Sequence, residues 1–423
     1  MKKSPSKEFD LNRLSEVEQV AVLASGEHAA ALGGYFGDVE YDELHKLARR
    51  SVRLRGAGRT RVYILPGIMG SMLGYRRKSG NHVVWLDPIP VAAGELLSLA
   101  LPDTTAIQPL GVMLPGYLKL KLLLRLAGFD AVFHPFDWRK SVAINGQLLL
   151  QRIARDNKKK AAIVGHSMGG LVARAALAVD RGKRLGKIVQ LGAPNFGSFA
   201  PVQALRAVYG SVRKVAALDP EHSAEQLSRH VFRSLPGIYE LLPSPLHRRD
   251  ADLFELQSWP DDLLGPDATM LAQARRVRER LGAARAGCYH IIGINRETVI
   301  GAAKQRSGFQ YRLSLDGDGT VPRSLAEWPG AQNLFVDEQH GCLTKNNVIA
   351  AAIADLLTTG HTRRIAHECP IVDNPVVRRV SDAQLRDGLR GKMRWQQLSG
   401  DQQRKILDPT ISNGFRSATA RLI

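Results

Sequence analysis

A mostly parallel β-sheet covered on both faces by helices is the fold class that this 423-residue sequence predicts. Three observations predict it. Short apolar runs ending in turn residues recur along the chain, amphipathic stretches with helical spacing lie between them, and a glycine-bracketed serine stands where one such run gives way to a helix. The length allows one main fold with insertions and appendages. Hydrophobic residues at 44% and charged residues at 23% place the chain in the ordinary globular range and away from disordered or collagen-like classes.

Taken in order, residues 1–58 combine helical apolar spacing at Val17, Val20, Ala21 and Leu23 with a charged segment from Glu40 to Arg50. They predict a helical N-terminal extension. At Arg61 the texture changes to Val62-Tyr63-Ile64-Leu65, halted by Pro66-Gly67, the pattern of a buried strand ending in a turn. Strand-like runs follow at Ala131–Phe133, Ala161–Val164, Ile188–Leu191, Tyr289–Ile294 and Asn333–Val336, and helical patterns at Tyr117–Leu126, Asn145–Ile153, Gly169–Val179 and Thr344–Leu357. The core is expected over 59–360. It contains an irregular insertion at about 199–286, with amphipathic pieces such as Ala200–Val208, that predicts a cap or lid over the sheet. Residues 361–423 are Arg-rich and punctuated by Pro370, Pro375 and Pro409; with helical stretches such as Asp382–Trp395 they predict a basic, mainly helical C-terminal extension.

Lys and Arg number 59 against 40 Asp and Glu, a formal charge of +19. Such a field attracts anionic surfaces. The excess is dispersed among runs such as Arg76–Lys78, Lys158–Lys160 and Arg275–Arg280, and no aromatic-rich nucleic-acid motif accompanies them, so nucleic acid ranks below a lipid headgroup as partner. The cysteines, Cys288, Cys342 and Cys369, show no paired metal spacing and are odd in number, which fits a reducing compartment. Met1–Glu8 lacks the apolar stretch of a secretory signal, and the apolar windows Ile89–Leu101 and Val348–Leu357 are too short to span a bilayer. A cytoplasmic location is expected, with peripheral membrane contact left open. Oligomeric state is not legible.

The strongest local signal is Ala161-Ala162-Ile163-Val164-Gly165-His166-Ser167-Met168-Gly169-Gly170, followed by an apolar helical run from Leu171. It places G-x-S-x-G between a strand and a helix. A sharp turn there needs small residues two before and two after the serine, and Gly165 and Gly169 supply them. A serine hydroxyl needs a base to remove its proton, and the base needs a group to orient it. Leu315-Asp316-Gly317-Asp318-Gly319-Thr320-Val321-Pro322 is an acidic turn, and His340 follows the last strand-like run. Ser167, Asp318 and His340 thus stand in the chain order of an α/β-hydrolase triad, with Asp316 as the alternative acid. Asp316, Asp318 and Glu327 also match the first, third and twelfth positions of a calcium loop, but Val321 occupies the sixth, where glycine is needed. No cofactor or metal is implied. The oxyanion of an acyl-transfer intermediate calls for two N–H donors: Met168 is the expected first, and Ile68 the second, with Gly67 as its alternative.

Taken together, Ile64-Leu65-Pro66-Gly67, Phe136-Asp137-Trp138-Arg139, the GHSMGG turn, Leu191-Gly192-Ala193-Pro194 with Gly197-Ser198, Tyr239–Pro243, Asp316–Pro322 and His340 resemble the lecithin:cholesterol acyltransferase family, which includes lysosomal phospholipase A2 and phospholipid:diacylglycerol acyltransferases. The resemblance implies an α/β-hydrolase fold with a cap, and a serine lipid-ester hydrolase or O-acyltransferase working through an acyl-serine on a lipid ester, phospholipid among the candidates. It also implies that Asp137, Trp138 and Arg139 support the site from behind. The competing expectation is a non-catalytic module of the same fold that binds anionic membranes or another acidic partner. The secreted animal members carry signal peptides and disulfides that this sequence is expected to lack, and its two extensions carry none of the motifs quoted above.

Overall fold

The computed structural model describes residues 11, 14–54, 60–78, 80–103, 106–156, 160–181, 184–245, 251–370, 375–387 and 391–407. Met1–Glu8, Lys158, Lys159 and Pro409 lie outside them. The strands are β1 (Arg61–Leu65), β2 (Ser71–Arg77), β3 (Gly80–Trp85), β4 (Gln108–Val112), β5 (Asp130–Phe133), β6 (Ala161–His166), β7 (Leu185–Leu191), β8 (Cys288–Gly293), β9 (Thr298–Gln305), β10 (Gly308–Ser314), β11 (Gln332–Val336) and β12 (Arg378–Ser381).

Six of them form one sheet in the order β11-β8-β7-β6-β1-β5, every pairing parallel. The central strand β6 is buried along its whole length, as expected of a strand covered on both faces. Alternation along β1 divides the core in two. Tyr63 and Leu65 face one cluster with Leu149, Ile153, Leu171 and Val172, while Val62 and Ile64 face another with Leu118, Leu122, Ile349 and Ile353. The helices Val142–Asp156 and Met168–Asp180 therefore cover one face, and Leu114–Leu126 and Asn347–Thr358 the other. This is the α/β-hydrolase architecture expected from the sequence.

The chain adds β5 on one side of β1 and β6 on the other, so the order of strands reverses between β1 and β6. At such a switch point the turns leaving the two strands diverge and open a crevice beyond their C-terminal ends. The turn after β1 and Ser167 after β6 both lie there.

N-terminal helices occupy Glu16–Ser25, Ala29–Phe36 and Asp38–Ser51; the first opens on a capping box of Ser15 and Glu18. They join the second cluster through Leu23, Leu44 and Leu47, and Glu16 pairs with the buried Lys121. The 199–286 stretch contributes helices at Ala200–Leu205, Gly210–Leu218, Ala224–His230, Pro236–Tyr239 and Ala268–Glu279.

Two small antiparallel sheets, β3-β2-β4 and β12-β10-β9, were not expected. Their strands mix buried and exposed positions, and β2 and β4 carry Gly74 and Pro109, which weaken a strand signal. The helix expected over Asp382–Trp395 is also shorter. It is described over Asp382–Asp387, with 388–390 outside the described residues, and Gly391 at φ +123° and the 3-10 turn Trp395–Gln397 have a backbone that no α-helix can continue through.

Candidate active site

Ser167 sits between β6 and the helix Met168–Asp180 at φ +52°, ψ −123°, outside the regions a serine ordinarily occupies. The glycines on either side make this possible. A Cβ on Gly165 would lie 2.7 Å from the Gly169 carbonyl oxygen, and one on Gly169 would lie 2.5 Å from the carbonyl oxygen of Pro66. The strained turn lifts the serine into a cavity lined also by His340, Gly67, Ile68, Tyr117 and Thr320. Most of the remaining lining is apolar, including Trp85, Met113, Pro201, Val215, Ile238 and Leu241, with His166, Ser198, Ser211 and Lys214 among the polar exceptions. Several of these residues belong to the 199–286 stretch, so helices of that stretch line the cavity.

His340 begins the turn that follows β11 at the edge of the sheet. Its Nδ1 lies 2.7 Å from Asp318 Oδ2, and its backbone N–H donates to the Asp318 carbonyl at 2.8 Å. The other carboxylate oxygen, Oδ1, accepts the amides of Thr320 and Val321 at 2.9 and 2.8 Å. Asp318 can only accept from these amides, so it is fixed in the direction of the imidazole. The Nδ1 proton is directed at Oδ2, which leaves Nε2 as the basic nitrogen. Asp316, the alternative acid, instead pairs with Arg323 at 2.6 Å.

The turn Pro66–Ser71 runs beside the serine: a Cβ on Gly67 would meet Ser167 Cβ at 3.0 Å. Gly67 N–H donates to Tyr117 Oη at 2.8 Å and is spent. The N–H groups of Ile68 and Met168 have no protein acceptor among the described residues, the latter because it opens a helix. Two tryptophans hold the turn from behind. Trp85 Nε1 donates to the Met69 carbonyl at 2.9 Å and Trp138 Nε1 to the Ser71 carbonyl at 3.2 Å, with the two rings edge to face at 5.2 Å between centroids.

Asp137 and Arg139 do not reach the cavity. Arg139 is fully buried and makes a two-toothed pair with Asp137 at 2.8 and 2.9 Å, a further bond to Asp103 at 2.8 Å, and bonds to the carbonyls of Leu99 and Ile107. These bonds tie the loop after β5 to the segment before β4. The Asp-Trp-Arg stretch thus backs the turn through Trp138 and anchors its own loop through the ion pair.

Sequence reasoning missed Tyr117, His166, Trp85 and Gly192 as parts of this site. His166 had a signal, since it stands inside the serine turn itself. Tyr117 had none, because its aromatic ring fits the apolar face of its helix equally well.

Residues 129–301 match the family model described as lecithin:cholesterol acyltransferase. The matched stretch holds Ser167 and Asp137–Arg139 and stops short of Asp318 and His340. No curated protein matches the chain. Among solved structures it is similar to the mature form of Bacillus licheniformis lipase BlEst2, at 16% identity and a TM-score of 0.38 over 71% of this chain and 93% of that one. It is also similar to the Tle4-Tli4 complex, at 13% identity and a TM-score of 0.48 over 70% of this chain and 98% of that one.

Proposed function

We propose that this protein is a serine lipid-ester hydrolase or O-acyltransferase. One observation carries the proposal: Ser167, on a strained strand-to-helix turn, shares an apolar cavity with His340, whose far nitrogen is held by Asp318 at 2.7 Å. In this mechanism His340 Nε2 takes the Ser167 proton as the hydroxyl oxygen attacks an ester carbonyl. The resulting oxyanion rests on the Ile68 and Met168 amides. Collapse of the intermediate expels the alcohol, which leaves with the proton from His340, and an acyl-serine remains. Water or a second alcohol then attacks the acyl carbon as His340 takes its proton, and His340 returns that proton to Ser167 Oγ as the acyl–oxygen bond breaks, releasing a fatty acid or a new ester. An acyl chain suits the apolar lining, and the family match supports a lipid substrate, phospholipid first. The charge of +19 supports peripheral attraction to an anionic bilayer from the cytoplasmic side.

The test is turnover of phosphatidylglycerol- and phosphatidylcholine-containing liposomes, read by mass spectrometry for wild type and Ser167→Ala, alongside labelling by a fluorophosphonate. Labelling of Ser167 with release of fatty acid supports hydrolysis; a new ester in the presence of a long-chain or sterol alcohol supports acyl transfer. Folded protein that binds liposomes yet is neither labelled nor active would mark a non-catalytic membrane-binding module and overturn the proposal.

A further inference from the structure

A single hydrogen-bonded path leaves the turn beside Ser167 and ends on the backbone of His340. Gly67 N–H donates to Tyr117 Oη at 2.8 Å; Tyr117 Oη lies 3.0 Å from His166 Nδ1; and His166 Nε2 lies 3.1 Å from the His340 carbonyl oxygen. With the imidazole of His166 neutral, one arrangement of protons satisfies all three contacts. The His340 carbonyl can only accept, so Nε2 of His166 carries the hydrogen. Its Nδ1 then offers a lone pair and must accept from the Tyr117 hydroxyl, whose oxygen in turn accepts from Gly67. The imidazole is buried between these partners, and its ring centroid lies 4.8 Å from that of His340. Burial drives its pKa down to about 3, so the ring stays neutral and the arrangement persists at working pH.

We propose that Tyr117 and His166 are a positioning relay that fixes the Pro66–Ser71 turn relative to His340, so that Gly67 N–H is withheld from the reaction and Ile68 N–H is presented to it. The relay rests on the serine-hydrolase mechanism proposed above. Neither residue exchanges a proton with substrate. Without the Tyr117 hydroxyl, Gly67 N–H loses its acceptor and the Gly67–Ile68 end of the turn loses its anchor while the tryptophans still hold Met69 and Ser71, so the second oxyanion donor is misplaced. Without His166 Nδ1, the Tyr117 hydroxyl is no longer directed, and the same donor is misplaced. The two losses act on one geometry, so they are not independent.

The experiment is a double-mutant cycle on the full-length protein with a soluble p-nitrophenyl ester, using Tyr117→Phe, His166→Gln and the pair. Tyr117→Phe deletes one oxygen. His166→Gln keeps an N–H for the His340 carbonyl and removes the acceptor facing Tyr117; it carries the test if the first variant fails to fold. Each single variant is expected to lower kcat by about 10–100-fold with KM within about threefold, because a displaced oxyanion donor acts on the transition state alone. The double variant is expected to match the worse single one. Losses that multiply, a change confined to KM, or wild-type kcat in folded Tyr117→Phe overturn the relay while leaving the parent mechanism intact. Absence of turnover and of fluorophosphonate labelling in the wild type overturns both.

Discussion

Gly192 and His340 are packed so closely that a Cβ on Gly192 would lie 2.9 Å from His340 Nδ1 and 2.9 Å from Asp318 Oδ2, with Leu343 Cδ1 at 2.8 Å. Gly192 also holds φ +55°, which strains any side chain placed there. Gly192→Ala is therefore expected to separate the imidazole from the carboxylate and to lower kcat by about 100-fold, the scale of loss for a displacement near 1 Å. Steady-state kinetics on an ester, paired with a thermal melt, checks this. Wild-type kcat in a folded variant would contradict it.

The two neighbouring acids are expected to separate cleanly. Asp318→Asn replaces the acceptor facing His340 Nδ1 and should lower kcat by about 10⁴-fold by releasing the wrong tautomer. Asp316→Asn weakens the pair with Arg323 and should lower thermal stability while kcat stays close to wild type. Comparable kinetic losses in both variants would show that the choice of acid is wrong.

Acid lability has a definite sign. Burial lowers the imidazole pKa of His134 to about 4, and of His166 and His290 to about 3, from an ordinary 6.5. Between these values and 6.5 the unfolded chain binds protons that the folded chain refuses. The stability involved is complete above about 6.5 and is lost as pH falls toward 3–4. Each histidine is expected to add up to about 1.4 kcal/mol per pH unit to that loss. His134 offers the cleanest check, because neither ring nitrogen has a partner among the described residues. His134→Phe should reduce the dependence of urea-unfolding free energy on pH between 6 and 4 by about one proton; an unchanged slope would count against the assignment.

Asp382, 1% exposed, accepts from Arg206 Nε at 2.9 Å, Tyr311 Oη at 2.8 Å and the Phe309 amide at 3.2 Å. It joins the C-terminal segment to β10 and to the start of the inserted helices. Asp382→Ala strands several buried donors, and a loss of about 3–5 kcal/mol is expected, toward the lower end because Arg206 retains Asp262 at 2.6 Å. Urea denaturation checks the magnitude. A loss below about 1 kcal/mol, the scale of an exposed pair, would mean that the contact is solvated.

What could be read along the chain was whatever depends on neighbours in sequence. The apolar runs of β1, β6 and β7, the helices that follow them and the glycine-flanked serine turn are local patterns, because burial on a sheet repeats every second residue and on a helix every three to four. The order of Ser167, Asp318 and His340 could equally be read along the chain, since Ser167 and His340 follow recognisable strands and Asp318 stands in a glycine-flanked acidic turn. The small antiparallel sheets were not, because their pairing comes from strands whose own signals are weak.

Other choices waited for the tertiary structure. Asp318 was the first choice of acid with Asp316 two residues away as the alternative, and only the fold shows Asp318 beside His340 and Asp316 beside Arg323. Gly67 stood as the alternative to Ile68 until Tyr117, 50 residues away in sequence, claimed its N–H. His166 reaches the His340 carbonyl across a separation of 174 residues. A hydrogen bond needs donor and acceptor within about 3 Å and aligned. Spacing along the chain sets the direction of a side chain within its own element, but only the packing of helices on the sheet decides which distant group it meets.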